Sequence, residues 1–306
     1  MNSTLPHLQR GSKSGCLAGI SPGSPKSLVS GICRVKVRQI PRGFTLVEIA
    51  IAVFIVALLL GSILVPLTTQ VENRNYDTTQ RILDQAREAL LGFAAANGYF
   101  PCPASATSNG QEAVGFNHSA ATTCPATVGV AAVNNMYFGF LPAAALGFTP
   151  VDANGFAVDA WGLSPYNRIR YAVSAVTINA IAQPFTRVNG MRNAGMSNIS
   201  SATTLLYVCN SGTGVSATNC NTAVALASSV PIVIWSVGPN AATVTAGTLS
   251  VHEAQNPNPA GGSADRIFVS RTKAAAGAGG GEFDDIVTWV GSPTLFNRLI
   301  ATGQLP

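Results

Sequence analysis

Between Phe44 and Pro66 the chain reads FTLVEIAIAVFIVALLLGSILVP, apolar on every side, with Glu48 as its single charge. Coiled as a helix, this run would measure roughly 30 Å, the thickness of a bilayer core. From Thr68 to Ala96 the pattern turns amphipathic. Ile82, Leu83, Ala86, Leu90, Phe93 and Ala94 recur at three- and four-residue spacings, while Arg74, Asp77, Arg81, Asp84, Arg87 and Glu88 fill the other faces. Asn97-Gly98 supplies a stop, and Pro101 lies just beyond. The two stretches predict one long helix, its first half wholly apolar and its second half clasped along one stripe by a globular domain. Gly61 and Pro66 predict a kink or local melting within it.

Past residue 100 the periodicity changes to short apolar runs punctuated by Gly, Pro, Asn and Ser. Ile169–Ile178, Thr204–Cys209, Val230–Val237, Arg266–Val269 and Asp285–Val290 predict strands, and their regular turn signals favour a mainly antiparallel sheet. The stretches 210–228 and 239–264 read as loops or insertions. The fold class that follows is α+β: a long N-terminal helix packed on a mainly antiparallel β-sheet head. Four segments result: a basic leader at 1–43, an apolar helix at 44–66, an amphipathic helix at 67–97 and a head at 98–306.

Charge sharpens this picture. The chain of 306 residues has a net charge of +5, which alone would invite a nucleic-acid partner. Yet seven of its 18 basic residues precede Phe44, where no acid occurs, so the remainder holds 11 basic against 13 acidic residues. No nucleic-acid partner is expected. The basic flank places the start of the apolar helix in the cytoplasm by the positive-inside rule, with everything after Pro66 beyond the inner membrane. A secretory signal peptide would have a shorter apolar core and small residues at its cleavage point, where this chain has Leu67-Thr68-Thr69. An ordinary signal anchor accounts for the hydrophobicity but leaves Glu48 unexplained. A carboxylate in lipid costs about 2.5–3.5 kcal/mol at mid-membrane and less near the interface, so Glu48 calls for a partner.

Pro41-Arg42-Gly43-Phe44-Thr45-Leu46-Val47-Glu48 resembles the type III signal of the type IV pilin superfamily. The resemblance implies cleavage after Gly43 by a prepilin peptidase and methylation of the new amine of Phe44. It also gives Glu48 a role in assembly, pairing with the positive terminus of a neighbouring subunit and so fixing axial register in a low-dielectric setting. A leader of 43 residues is long for that family, and the next methionine is Met136. The implied partners are the peptidase, other pilin or pseudopilin subunits, an inner-membrane assembly platform and the lipid bilayer. The head adds to the resemblance. Phe100-Pro101-Cys102-Pro103, Gly139-Phe140-Leu141-Pro142 and Asp159-Ala160-Trp161-Gly162 resemble a pseudopilin-type head, and the last of them resembles a segment in major pseudopilins of type II secretion systems. Ser236-Val237-Gly238-Pro239-Asn240 and Gly280-Gly281-Glu282-Phe283-Asp284-Asp285-Ile286, with Trp289, resemble their calcium-binding loop. The resemblance therefore implies calcium at Asp284 and Asp285, since clustered carboxylates suit a hard cation. Position 240, where that loop has an aspartate, is asparagine here. Without a cation, Asp284 and Asp285 would serve as caps of a turn before the last strand.

Six cysteines occur, with Cys16 and Cys33 in the leader. The other four permit three pairings, and proximity along the chain is the reason for choosing Cys102–Cys124 and Cys209–Cys220 in an oxidising periplasm. Zinc is the alternative, but no C-x-x-C pair occurs and His118 is the nearest histidine. The one G-x-S-x-G match, Gly19-Ile20-Ser21-Pro22-Gly23, lies in the basic leader, and phosphate-loop and H-E-x-x-H motifs are lacking, so the sequence supports no catalysis. The adjacent His252-Glu253 reads as part of a solvated loop. Two functions remain: a structural subunit of a pilus-like filament, as a pseudopilin or minor pilin, or a membrane-anchored periplasmic binding or adhesion protein using the same signal. Replacement of Glu48 separates them.

Overall fold

The computed structural model describes residues 43–113, 118–119, 124, 136–162, 165–242, 249–257 and 265–306, without the side chains of 62–67. The leader up to residue 42 with Cys16 and Cys33, the side chain of Pro66, and residues 243–248 and 258–264 of the expected insertion lie outside the described residues. The chain divides into two compact units, Met1–Ala57 and Leu58–Pro306.

Helix α1 (Leu46–Asn97) contains 52 residues. In the first unit its large apolar side chains are bare: Phe44, just before it, is 81% exposed and Leu46 86%. Ile49, Ile51, Val53 and Phe54 are exposed as well. Among the described residues no helix is long and apolar enough to cross a membrane. The described side chains of the apolar run end at Gly61, and the run continues into 62–67. The helix passes Gly61 and Pro66 unbroken, so the local melting expected there does not occur. A proline removes one i→i−4 bond, which the turns on either side can bridge. The expected stop is found. Gly98 adopts φ +78°, and its N–H donates to the Ala94 carbonyl at 2.7 Å.

In the second unit α1 is followed by β1 (Met136–Phe140), α2 (Ala143–Leu146), β2 (Arg170–Ser174), β3 (Thr177–Ile178), β4 (Ile181–Ala182), α3 (Gly190–Ala194) and α4 (Met196–Ser201). Then come β5 (Leu206–Cys209), β6 (Ala225–Val230), β7 (Ile232–Ser236), β8 (Ile267–Val269), β9 (Ile286–Val290) and α5 (Ser292–Ala301). The central sheet has the order β1-β2-β7-β9 and is antiparallel throughout. A second sheet, β6-β5-β8, pairs β5 with β8 in parallel, and β3-β4 forms a small hairpin.

The head is layered as helix, sheet, sheet. Side chains alternate across a strand. Tyr137, Tyr171, Val173, Ile232, Ile234, Ile286 and Val290 therefore point to one face, where they join Ile82, Leu83, Ala86, Leu90, Leu91 and Ala94 of α1. Met136, Phe138, Ala172, Val233, Trp235 and Val287 point to the other and meet Leu206, Val208, Val230 and Phe268 of the second sheet. Covering both faces explains runs such as MYFGF and IVIWS, which lack polar alternation.

Three expectations are corrected. The run 169–178 is two strands, broken after Ser174. Residues 225–228, expected within a loop, fall in β6; its ALASSV sequence has weak strand propensity and an exposed outer face. Helix α5 was not expected, although Pro293 in its first turn and Leu295, Phe296 and Leu299 at helical spacing mark it. It lies along α1, where Arg298 Nη2 donates to Glu88 Oε2 at 2.7 Å.

Candidate functional site

The first candidate is the start of α1. Thr45 N–H donates to Glu48 Oε2 at 2.8 Å, Thr45 Oγ1 donates to the same oxygen at 2.9 Å, and Glu48 N–H donates to Thr45 Oγ1 at 3.2 Å. This is a reciprocal capping box, which satisfies backbone donors that the first helical turn leaves without partners. It also puts a carboxylate at the positive end of the helix dipole. Thr45 was missed as a functional residue, although the T-x-x-E spacing ahead of an apolar run signals it. Glu48 thus has an intramolecular partner, in addition to whatever it meets in an assembly.

The second candidate lies at one end of the central sheet. Antiparallel pairing of Ser236 with Ile286 sets the loop after β7 beside the segment before β9. Gly238 and Asn240 are thereby brought to Asp284 and Asp285. A third carboxylate, Glu253, enters from a 3-10 turn at Glu253–Gln255. One ligand oxygen from each of Glu253, Asp284 and Asp285 can be chosen so that all lie within 4.8 Å of one another, and the three residues are 3%, 2% and 6% exposed. The solvated loop expected around His252-Glu253 is therefore corrected: both residues are buried, and His252 Nδ1 accepts a bond from Gly212 N–H at 2.9 Å.

The carboxylates differ in their support. Asn256 Nδ2 donates to Asp285 Oδ2 at 2.7 Å. Glu253 Oε1 accepts from Asp284 N–H at 3.1 Å and from Asn240 Nδ2 at 3.3 Å. Neither carboxylate oxygen of Asp284 has a hydrogen-bond donor among the described residues. Burial, then the neighbouring charges of Asp285 and Glu253, push Asp284 up to about 9. Burial pushes Asp285 up to about 8, against the pull of the Asn256 bond and the Arg170 charge. Glu253 is also raised by burial. Crowded, buried and partly unsatisfied carboxylates form an oxygen donor set that fits a hard cation. Gly238 leaves room for it: at φ +71°, a Cβ there would stand 2.8 Å from Asp284 Oδ1.

A polar network underlies this end of the sheet. Asp159 Oδ1 accepts from Trp161 N–H at 3.0 Å, and its Oδ2 accepts from Ser236 Oγ at 2.6 Å and from Asn167 Nδ2 at 2.9 Å. Asn167 Nδ2 also donates to the Gly238 carbonyl at 2.8 Å, tying the Asp-x-Trp-Gly segment to the loop after β7. Burial lowers Arg170 to about 10, opposed by the charges of Asp285 and Asp159.

Residues 40–64 match the family model of the Prokaryotic N-terminal methylation motif. The chain carries a prepilin-type signal. That motif spans Gly43, Phe44, Thr45 and Glu48, and it is consistent with a type IV pilin-like protein. No curated protein and no solved structure gives a significant match.

Among the remaining predicted residues, the cysteines pair as Cys102–Cys124 and Cys209–Cys220. Zinc therefore has no thiolate at these positions. His118 instead lies 3.0 Å from Glu112 Oε2, and its Nδ1 donates to the Thr186 carbonyl at 2.7 Å. Asp284 and Asp285 stand together, and Glu253, which sequence reasoning set aside, joins them.

Proposed function

We propose that the chain is a structural subunit of a type IV pilus-like filament, a type II secretion pseudopilin or minor pilin. In this reading prepilin peptidase cleaves after Gly43 and methylates Phe44. Residues 44–66 hold the subunit in the inner membrane, with the head in the periplasm, until the assembly platform passes it to other subunits. The observation that carries the reading is the capped helix start within the methylation motif. Thr45 and Glu48 both lie beyond the cleavage point, so processing leaves the capping box intact and a new positive amine beside it. An apolar helix surface bare from Phe44 to Leu60 supports the same reading, since it needs lipid or other helices to cover it.

Within this reading the head binds calcium at Asp285 and at Asp284, whose buried oxygens otherwise have no donor among the described residues. The role in assembly is tested in cells with an active peptidase by Glu48→Ala. The mature mass should begin at Phe44 in both wild type and variant, while the variant is missing from sheared filaments. A native product retaining residues 1–43, or a variant that assembles as well as wild type, overturns it.

A further inference from the structure

The third carboxylate carries an inference that rests on the calcium reading. Glu253 reaches Asp284 from a separate stretch of chain, and that stretch is fastened on three sides. His252 Nδ1 accepts from Gly212 N–H, within the Cys209–Cys220 loop. Asn256 exchanges two bonds with Val269 of β8, its Nδ2 donating to the carbonyl at 3.0 Å and its Oδ1 accepting from the N–H at 2.8 Å. The same amide nitrogen donates to Asp285 Oδ2. The Gly-rich run before Asp284 packs directly on the stretch: a Cβ at Gly280 would stand 2.5 Å from His252 Nε2. Such fastening presents the Glu253 side chain in one place, as a ligand must be presented.

The Glu253 side chain is oriented as well as placed. Asn240 Nδ2 and Asp284 N–H both donate to Oε1, so the two bonds fall on the same oxygen. A buried glutamate next to two buried aspartates, one of them with both oxygens lacking a donor, is a costly arrangement unless a cation or bound protons neutralise it. The spacing suits that role. Two oxygens bound at about 2.4 Å to one calcium stand at most about 4.8 Å apart, and the three ligand atoms fall within 4.8 Å of one another.

We infer that Glu253 is a direct calcium ligand, and that the cation joins the 249–257 stretch to the start of β9. Asn240, in the loop after β7, acts as a positioning residue that aims Glu253. Calcium binding would then depend on three chain segments that meet only in the folded head.

Calorimetric titration of calcium chloride into the full chain in detergent micelles tests this, with near-ultraviolet circular dichroism as the check on folding. The wild type should bind one calcium, Glu253→Gln should bind at least about tenfold more weakly, and Glu253→Asp should fall between them. Asp284→Asn should abolish binding. Glu253→Gln binding like wild type while Asp284→Asn binds none overturns the role of Glu253 and leaves the calcium reading standing. A folded wild type that binds no calcium ends both. Should Glu253→Gln fail to fold, Glu253→Asp decides: weakened binding supports the role, and wild-type affinity overturns it.

Discussion

Replacing Asp284 with asparagine should make the cation-free head more stable at alkaline pH. The folded chain holds Asp284 and Asp285 at about 9 and about 8, well above the usual carboxylate range. A folded-state value above the unfolded one means that the folded chain keeps protons which the unfolded chain releases. Stability is then fully present below the ordinary value and is lost as pH rises through the folded one. Each pH unit in that window costs about 1.4 kcal/mol per carboxyl. From an ordinary value near 4 up to pH 8, the ceiling for one group is roughly 6 kcal/mol. Relaxation and an effective interior dielectric near 20 bring the expected loss to the order of 2–3 kcal/mol. For a domain of this size that corresponds to roughly 5–10 °C in Tm. The asparagine removes one charge and offers Glu253 a donor. Thermal unfolding of the full chain in detergent with a chelator, at pH 6 and pH 8.5, reads the effect. Wild type should lose Tm between the two, and Asp284→Asn should lose less and melt above wild type at pH 8.5. Millimolar calcium should restore wild type at pH 8.5 and leave the variant unmoved. A chelated wild type whose Tm falls no more than the variant's would refute the reasoning.

The disulfides close loops of 22 and 11 residues, so the paired replacements Cys102→Ala with Cys124→Ala, and Cys209→Ala with Cys220→Ala, should each cost about 3 kcal/mol, the second slightly less. The two bridges sit in separate core clusters, so denaturant titrations should find the losses additive within about 0.5 kcal/mol. Gly110→Ala should destabilise the head by about 2 kcal/mol or more, since Gly110 has φ +72° and the new Cβ would stand 1.9 Å from the Gly155 carbonyl oxygen. An unchanged denaturation midpoint would contradict that contact.

What could be read directly from the chain were the features that neighbouring residues define among themselves. Helix α1 follows from the apolar run after Phe44 and the stripe Ile82, Leu83, Ala86, Leu90, because helical periodicity needs only residues three and four apart. Its stop at Gly98 follows from one residue able to take a positive φ. The methylation motif is equally local, and so is the Thr45–Glu48 cap, which was legible though unread. Four of the five predicted strands were found, and the fifth, 169–178, was found as two, because turn residues bracket them. Strands β1 and β6 escaped for opposite reasons. The first is buried on both faces and shows no alternation, while the second is small and polar and is held by its pairing with β5.

The carboxylate cluster could be read only by half. Asp284 and Asp285 are adjacent, so their clustering is visible in sequence. Glu253 is not, because its partners become neighbours only once β7 pairs with β9 and Asn256 docks on β8. Taken alone, His252-Glu253 in polar surroundings reads as solvated loop. Sequence by itself determined where the helix runs, where it is capped and which cysteines could pair by proximity. Only the tertiary structure decided which acids share a buried space, since burial and charge crowding arise from segments far apart in the chain and no local pattern encodes them.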